Sequence, residues 1–169
     1  MNIFVLDKDP CVAARMQCDK HIPKMVLESA QMLATALRRR GATDEQMPLT
    51  KSGNPYKATH VNHPCTVWAG DSFANWNWLW NHGMALCEEY EKRFGREHAC
   101  YEPISFMGGT TVHWPHPHIL TPFAVAMPDE FRDDDAVKAY RAYYHSKTFA
   151  KWEKGTPAPD WWQGIEVIA

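Results

Sequence analysis

The stretch 64–93 is the strongest constraint on any fold this chain can adopt. At 3.6 residues per turn, Trp68, Phe73, Trp76, Trp78, Leu79, Trp80, Met84, Leu86 and Tyr90 point nearly all round one helix. A helix without a polar side has to be enclosed, so the remaining elements must wrap around it. Pro64 suits its first position and Gly95 its end. The spacing predicts one long central helix over 64–93. The fold class expected is mainly α: a single-domain helical bundle, residues 1–169, with a short N-terminal extended arm and a long irregular loop region. A length of 169 residues is enough for one sizeable core.

Around that helix the chain divides at its prolines and glycines. Residues 2–6 read as an extended arm or short strand. Asp9 and Pro10 read as N-cap and first residue of a helix that runs through Met16 into the segment 18–31. Pro23 either kinks that helix or begins a second one. The helix ends at Arg38-Arg39-Arg40 before Gly41, where cations complement the C-terminal dipole. Residues 41–57 read as a loop. Residues 96–122, with Gly108-Gly109 and alternating His and Pro from His113 to His118, read as irregular. A last helix is expected over roughly 133–152, and the tail with Trp161 and Trp162 reads as a docked strap.

The chemistry concentrates in Cys18-Asp19-Lys20-His21-Ile22-Pro23-Lys24-Met25-Val26-Leu27-Glu28-Ser29-Ala30-Gln31. His21, Lys24, Glu28 and Gln31 share one helical face. An imidazole, amines and a carboxylate on a face otherwise built for burial suit proton transfer or anion binding. The bland alternative is a Lys24–Glu28 surface pair at i,i+4, worth a few tenths of a kcal/mol. A second cluster, His60, Asn62 and His63, stands just ahead of Pro64, where free N–H groups favour an anion. The last helix carries Arg141 and Lys147 among tyrosines, an aromatic-plus-basic mixture suited to phosphate and base contact.

Other chemistries are less well supported. A net charge of −2 gives no bulk positive field, so nucleic-acid binding would need a local basic stripe. Five cysteines without a CxxC pair argue against a disulfide framework or a zinc ribbon. No phosphate-cradling glycine loop and no GxSxG occurs. Cys18 beside Lys20 and His21 could be an activated thiol, though buried free cysteines are commoner. No cofactor is expected. If a metal binds, its ligands would be His21, His60, His63 and Cys65, a set that fits no closed zinc spacing. No apolar run reaches the ~18 residues a membrane span needs, and the first residues turn acidic too soon for a signal peptide. The location expected is cytoplasmic, in a host cell's cytoplasm if a phage encodes the chain.

The pattern running from Asn2-Ile3-Phe4-Val5-Leu6-Asp7 through Cys18-Asp19-Lys20-His21 and Lys24-Met25, His60-Val61-Asn62-His63-Pro64-Cys65, Met127-Pro128-Asp129-Glu130 and Tyr140-Arg141 resembles a family of small phage and bacterial proteins. More distantly, the layout looks like the phage pyrimidine-dimer DNA glycosylases of the endonuclease V type. Those are all-helical domains whose N-terminal amine attacks the sugar C1′, assisted by an Arg-Glu-Leu-Pro-Arg segment on the first helix. Lys20-His21-Ile22-Pro23-Lys24 is similar in spacing and puts His21 in the glutamate's place. Because Asn2 is larger than the residues that normally permit methionine removal, the resemblance implies that the amine is that of Met1.

The function expected is a DNA or nucleotide base-processing enzyme of glycosylase or lyase type, with DNA or a nucleotide as partner. Lys20, His21 and Glu28 would be catalytic. Lys24, Gln31, His60, Asn62, His63, Arg141 and Lys147 would bind substrate. The rivals are a metal-dependent hydrolase with a His-rich site and a non-catalytic phage accessory protein that binds through exposed aromatics. All depend on whether the polar clusters meet.

Overall fold

A computed structural model describes residues 1–164. It contains six α-helices: α1 (Pro10–Met16), α2 (His21–Arg39), α3 (Pro64–Asp71), α4 (Phe73–Phe94), α5 (Tyr101–Met107) and α6 (Ala136–His145). Two 3₁₀ turns, Asp44–Gln46 and Asp129–Phe131, punctuate the loops. Among the described residues the only β-pairing is an isolated bridge between Leu49 and Pro55. The fold is mainly α, as the periodicity requires.

α4 is the enclosed helix, packed against α1, α2, α3 and α5. Trp76, Trp78, Leu79 and Leu86 are buried on it. Two indole N–H groups leave the core as donors, Trp76 Nε1 to the Leu33 carbonyl at 3.1 Å and Trp78 Nε1 to that of Lys8 at 2.8 Å. Each bond pins a neighbouring segment to α4 without leaving a polar atom unpaired.

Four boundaries depart from the sequence reading, each for a local reason. The expected helix 64–93 is two helices, broken at Ser72. That residue is extended, accepts the Asn75 N–H at 3.0 Å and donates to the Ile119 carbonyl at 2.6 Å. A serine that caps the next helix outcompetes continuation of the last one. α1 stops at Met16 and α2 begins afresh at His21, so Pro23 falls in a first turn where its missing N–H costs nothing. A short helix, α5, interrupts the stretch expected to be irregular, and its Pro103 is likewise in the first turn. α6 is shorter than 133–152, capped by Asp135 and ended at His145.

The arm pairs with no strand and is not fully extended: the Leu6 N–H donates to the Phe4 carbonyl at 2.8 Å, a tight turn. The Asn2 side-chain oxygen takes the N–H groups of Ile3 (2.8 Å) and Phe4 (3.1 Å), and its amide donates to the Ala126 carbonyl at 2.8 Å. Side-chain bonding replaces a β-ladder. Ile3, Phe4, Val5 and Leu6 are all buried. Phe4 sits at φ 43°, a left-handed conformation that a phenylalanine keeps only where its ring is held. The triple arginine ties α2 to its neighbours: Arg38 binds the carbonyls of Tyr56 and Ala42 in the loop, and Arg39 and Arg40 bind those of Val67 and Gly70 in α3.

Arg93 closes the other side of the bundle. Its buried guanidinium donates to the carbonyls of Gln17 (2.7 Å) and Arg15 (2.9 Å) and to the carboxylates of Asp19 and Glu89, both at 3.1 Å. Glu89 also accepts from Thr156, and Asp19 accepts the Glu153 N–H, so the tail strap hangs on the same network. Replacing Arg93 by alanine strands two carboxylates and two carbonyls in the interior. The expected loss is about 3–5 kcal/mol, read by urea unfolding. A loss under about 1 kcal/mol would mean that the network is not a structural tie.

Candidate active site

The first turns of α2 and the N-terminal arm run side by side, and this places the Met1 amine against Glu28. The ammonium nitrogen lies 3.1 Å from Glu28 Oε1. Lys24 Nζ, one turn earlier, lies 3.8 Å from the other carboxylate oxygen. The Glu28 side chain is 9% exposed and that of Met1 only 4%, whereas Lys24 is 68% exposed. Met1 as a whole is nonetheless half-buried, so the part that reaches solvent is its main chain, where the amine is. Oε1 has no other polar partner: it makes no hydrogen bond, and its contact with the amine is an ion pair.

The second cluster arrives through Thr35. Its one O–H lies within donating distance of the Gln31 (2.8 Å) and Thr59 (2.9 Å) carbonyls, and its oxygen accepts the Thr59 N–H at 3.0 Å, fixing the loop ahead of α3 to α2. His60 follows at φ 50°, exposed, its Nδ1 3.0 Å from the Thr59 hydroxyl. His63 caps α3, its Nδ1 accepting the Cys65 N–H at 3.1 Å. That assigns the imidazole proton to Nε2. Burial pushes the His63 pKa down, the Met1 ammonium and His60 push it further, and Glu28 opposes them. His63 is therefore held toward its neutral form, with Nε2–H its free donor, within electrostatic reach of the Met1 amine and Glu28. Gln31 is half-buried and Asn62 exposed on the same flank.

His21 is not in the site, and the carboxylate beside the amine is Glu28, two turns further on. The His21 ring is stacked on Phe4 with centroids 4.5 Å apart, edge-on to Phe149, and its Nδ1 is 2.8 Å from the Tyr144 hydroxyl. The Tyr144 oxygen accepts the Cys18 N–H, which leaves its own proton for His21. Burial, with Lys147, Lys24 and Lys20 nearby, lowers the His21 pKa to about 3. A ring that stays neutral and has lost its freedom to reorient is a packing residue. It holds Phe4, and through Phe4 the arm.

The lysines fare better. Lys20 lies 4.7 Å above the Phe149 ring, and Lys147 lies 3.8 Å above Tyr143. Lys147, Lys24 and Lys20 all act on the His21 ring, lowering its pKa beyond what burial does. Arg141, by contrast, is spent on structure. Its Nε donates to the Leu6 carbonyl at 2.9 Å, its guanidinium covers Trp161, and Asp7 sits 3.7 Å away.

Cys65 is buried beneath the arm, in contact with the Tyr140 hydroxyl and the Ile3 amide, and burial pushes its thiol up to about 12. The set His21, His60, His63 and Cys65 does not converge, and among the described residues no three His, Cys, Asp or Glu side chains meet in a metal-binding geometry. Sequence reading also passed over His82. It is wholly inside, its Nδ1 donating to the Pro10 carbonyl at 2.9 Å while Nε2 accepts from Gln17. Its pKa is lowered to about 4, chiefly by burial. Comparison with family models, with curated proteins and with solved structures finds no match.

Two buried imidazoles held neutral make stability depend on pH. In the unfolded chain both take up protons below about 6.5, while in the folded protein they resist. Their contribution is intact above that value and is lost as pH falls toward the folded values of about 3 and 4. Each ring accounts for up to about 1.4 kcal/mol per pH unit in that window. Unfolding followed from pH 7 to 5 should show falling stability, and imidazole NMR should show no titration of His21 or His82 above pH 5. Either ring titrating near its ordinary value would contradict the assignment.

Proposed function

We propose that the protein processes bases in DNA as a glycosylase and lyase whose nucleophile is the Met1 α-amine. One observation carries the reading: a primary amine on a half-buried residue is held 3.1 Å from a buried carboxylate. As a class, α-amines are less basic than lysine side chains by about 2.5 pKa units, which makes them the better amine nucleophiles near neutrality.

In the proposed reaction the unprotonated amine attacks C1′ of a deoxynucleotide, the C1′–N bond to the base breaks, and the base leaves with the electron pair. Glu28 accepts a proton from the attacking nitrogen and faces the positive charge that develops at C1′. Its burial strengthens both effects. His63 Nε2–H donates a proton to the departing base. Opening of the sugar ring then gives a C1′=N imine. Abstraction of a C2′ proton expels the 3′ phosphate, and hydrolysis of the imine frees the enzyme. Lys20, Lys24 and Lys147 supply the local positive rim that a chain of net charge −2 otherwise lacks.

The competing reading is that the ion pair only anchors the terminus. Borohydride reduction in the presence of DNA containing abasic or modified sites separates the two. The account predicts a covalent adduct mapped by peptide mass to Met1. Glu28→Gln should reduce its formation at least about 100-fold, and Lys24→Ala should weaken binding and lower its salt dependence. A protein that forms no adduct and releases no base from any damaged or modified duplex is an anchor and not an enzyme.

A further inference from the structure

We propose that the cleft between the last turns of α2 and the start of α3 is a binding site for a small monocarboxylate with an apolar body, a single ring or a short aliphatic chain. The site is separate from the Met1–Glu28 pair and does not depend on the enzymatic reading.

The cleft holds about 280 Å³ and is lined by Ala36, Arg38 and Arg39 of α2, by Ala58 and Val61 of the loop ahead of α3, and by Thr66 of α3. Small-molecule pockets begin at about 300 Å³, so this one admits one ring or a few carbons. Val61 is apolar yet 53% exposed and, with the exposed Ala58, forms an apolar lip. Two polar groups there are not fully spent on the protein. Thr66 is 3% exposed, and its Oγ1 is buried with no hydrogen-bond partner among the described residues. An unpaired buried hydroxyl costs stability, and a valine would fill the same space without that cost. A ligand oxygen that pairs with it accounts for the hydroxyl. Arg39 is the second group. Its Nη1 donates to the Val67 carbonyl and its Nη2 to Asp71, each at 3.0 Å, which leaves Nε–H without a hydrogen bond among the described residues. Val67 follows Thr66 in the chain, so guanidinium and hydroxyl are neighbours in the cleft. The guanidinium is also held in place. It lies across Gly70, where a Cβ would come within 3.0 Å of Nη1.

Charge sets the sign of the ligand. Arg38 pairs with Asp44 and Arg39 with Asp71. Arg40, bound to the Gly70 carbonyl, and the exposed Lys57 have no carboxylate partner among the described residues, so this corner keeps a positive surplus. A carboxylate brings two acceptor oxygens, one for the Thr66 hydroxyl and one for the Arg39 guanidinium. Its apolar body rests against Ala36, Ala58 and Val61. A phosphate dianion finds too few free donors here, and its oxygens would lie against apolar walls.

The test titrates the full chain with benzoate and with butyrate and follows the NMR resonances of Ala36, Ala58, Val61 and Thr66. Benzamide, benzylamine and inorganic phosphate are the controls. At least one of the two acids should saturate these shifts with a Kd below about 1 mM, at least about tenfold tighter than any control. Arg39→Gln should weaken binding about tenfold and Thr66→Val about fivefold. Ala58→Phe, which blocks the mouth from an exposed position, should abolish it. Without ligand, Thr66→Val should melt no lower than the parent protein, because its hydroxyl has no partner to lose. No saturable shift from either acid, an equal response to benzamide or phosphate, or binding unchanged in Arg39→Gln and Ala58→Phe would overturn the inference. So would a melting point more than about 3 °C lower in Thr66→Val, since the hydroxyl would then be paired inside the protein. Arg39 and Ala58 are exposed, so their variants decide the matter if Thr66→Val does not fold. None of these readouts involves base release, so failure here leaves the enzymatic reading standing.

Discussion

A carboxylate inside a helical bundle has to be matched by a cation. Glu28 lies on the inner side of α2, where an uncompensated charge would cost several kcal/mol. The exposed Lys24 approaches one oxygen at 3.8 Å, and such a contact near solvent contributes little. The Met1 ammonium supplies what the lysine does not. The course of the first six residues follows from this requirement. The arm must bring its terminus to α2, and Asn2, Phe4 and the Ala124–Ala126 segment hold it there. Tyr140 clamps that segment, donating to Ala124 and accepting from Ala126.

Around the ion pair the fold sorts its titratable groups by environment. His21 and His82 are enclosed and kept neutral, and they act as polar joints between elements. His63 is partly enclosed and oriented by its capping bond, so its free N–H has a fixed direction. Lys20 and Lys147 lie over aromatic rings, which orders long flexible side chains at modest cost while leaving their charge outward. Aromatic packing does double duty here: Phe4 and Phe149 hold His21 between them and also seat the lysines.

The sequence made the helical class, the enclosed tryptophan helix and the capping of α1 by Asp9 and Pro10 legible, because these depend on local periodicity and end chemistry. It also drew attention to the polar face of α2 that carries Lys24 and Glu28, and separately to His63 ahead of α3. What it could not settle was which members of that face turn inward. His21 and Glu28 are seven residues apart on one helical face, yet only contact with Phe4, Tyr144 and Phe149 determines that His21 is packing. The break at Ser72 was missed because a single serine capping bond outweighs an apolar pattern spanning both sides of it. Arg93 and His82 were missed for a different reason. Apart from Glu89, one turn before Arg93, their partners lie 65 or more positions away, and no sequence spacing encodes such bonds. A polar residue within an otherwise apolar stretch of a central helix was the one available signal.

The most direct measurement compares the ¹³C resonance of the Glu28 side-chain carboxyl carbon before and after acetylation of Met1, at one fixed pH and in a Lys24→Met background so that the terminal amine is the nearest remaining cation. The account predicts that acetylation, which removes the positive charge 3.1 Å from Oε1, moves this resonance. A resonance at the same position before and after acetylation would mean that the amine and the carboxylate do not meet.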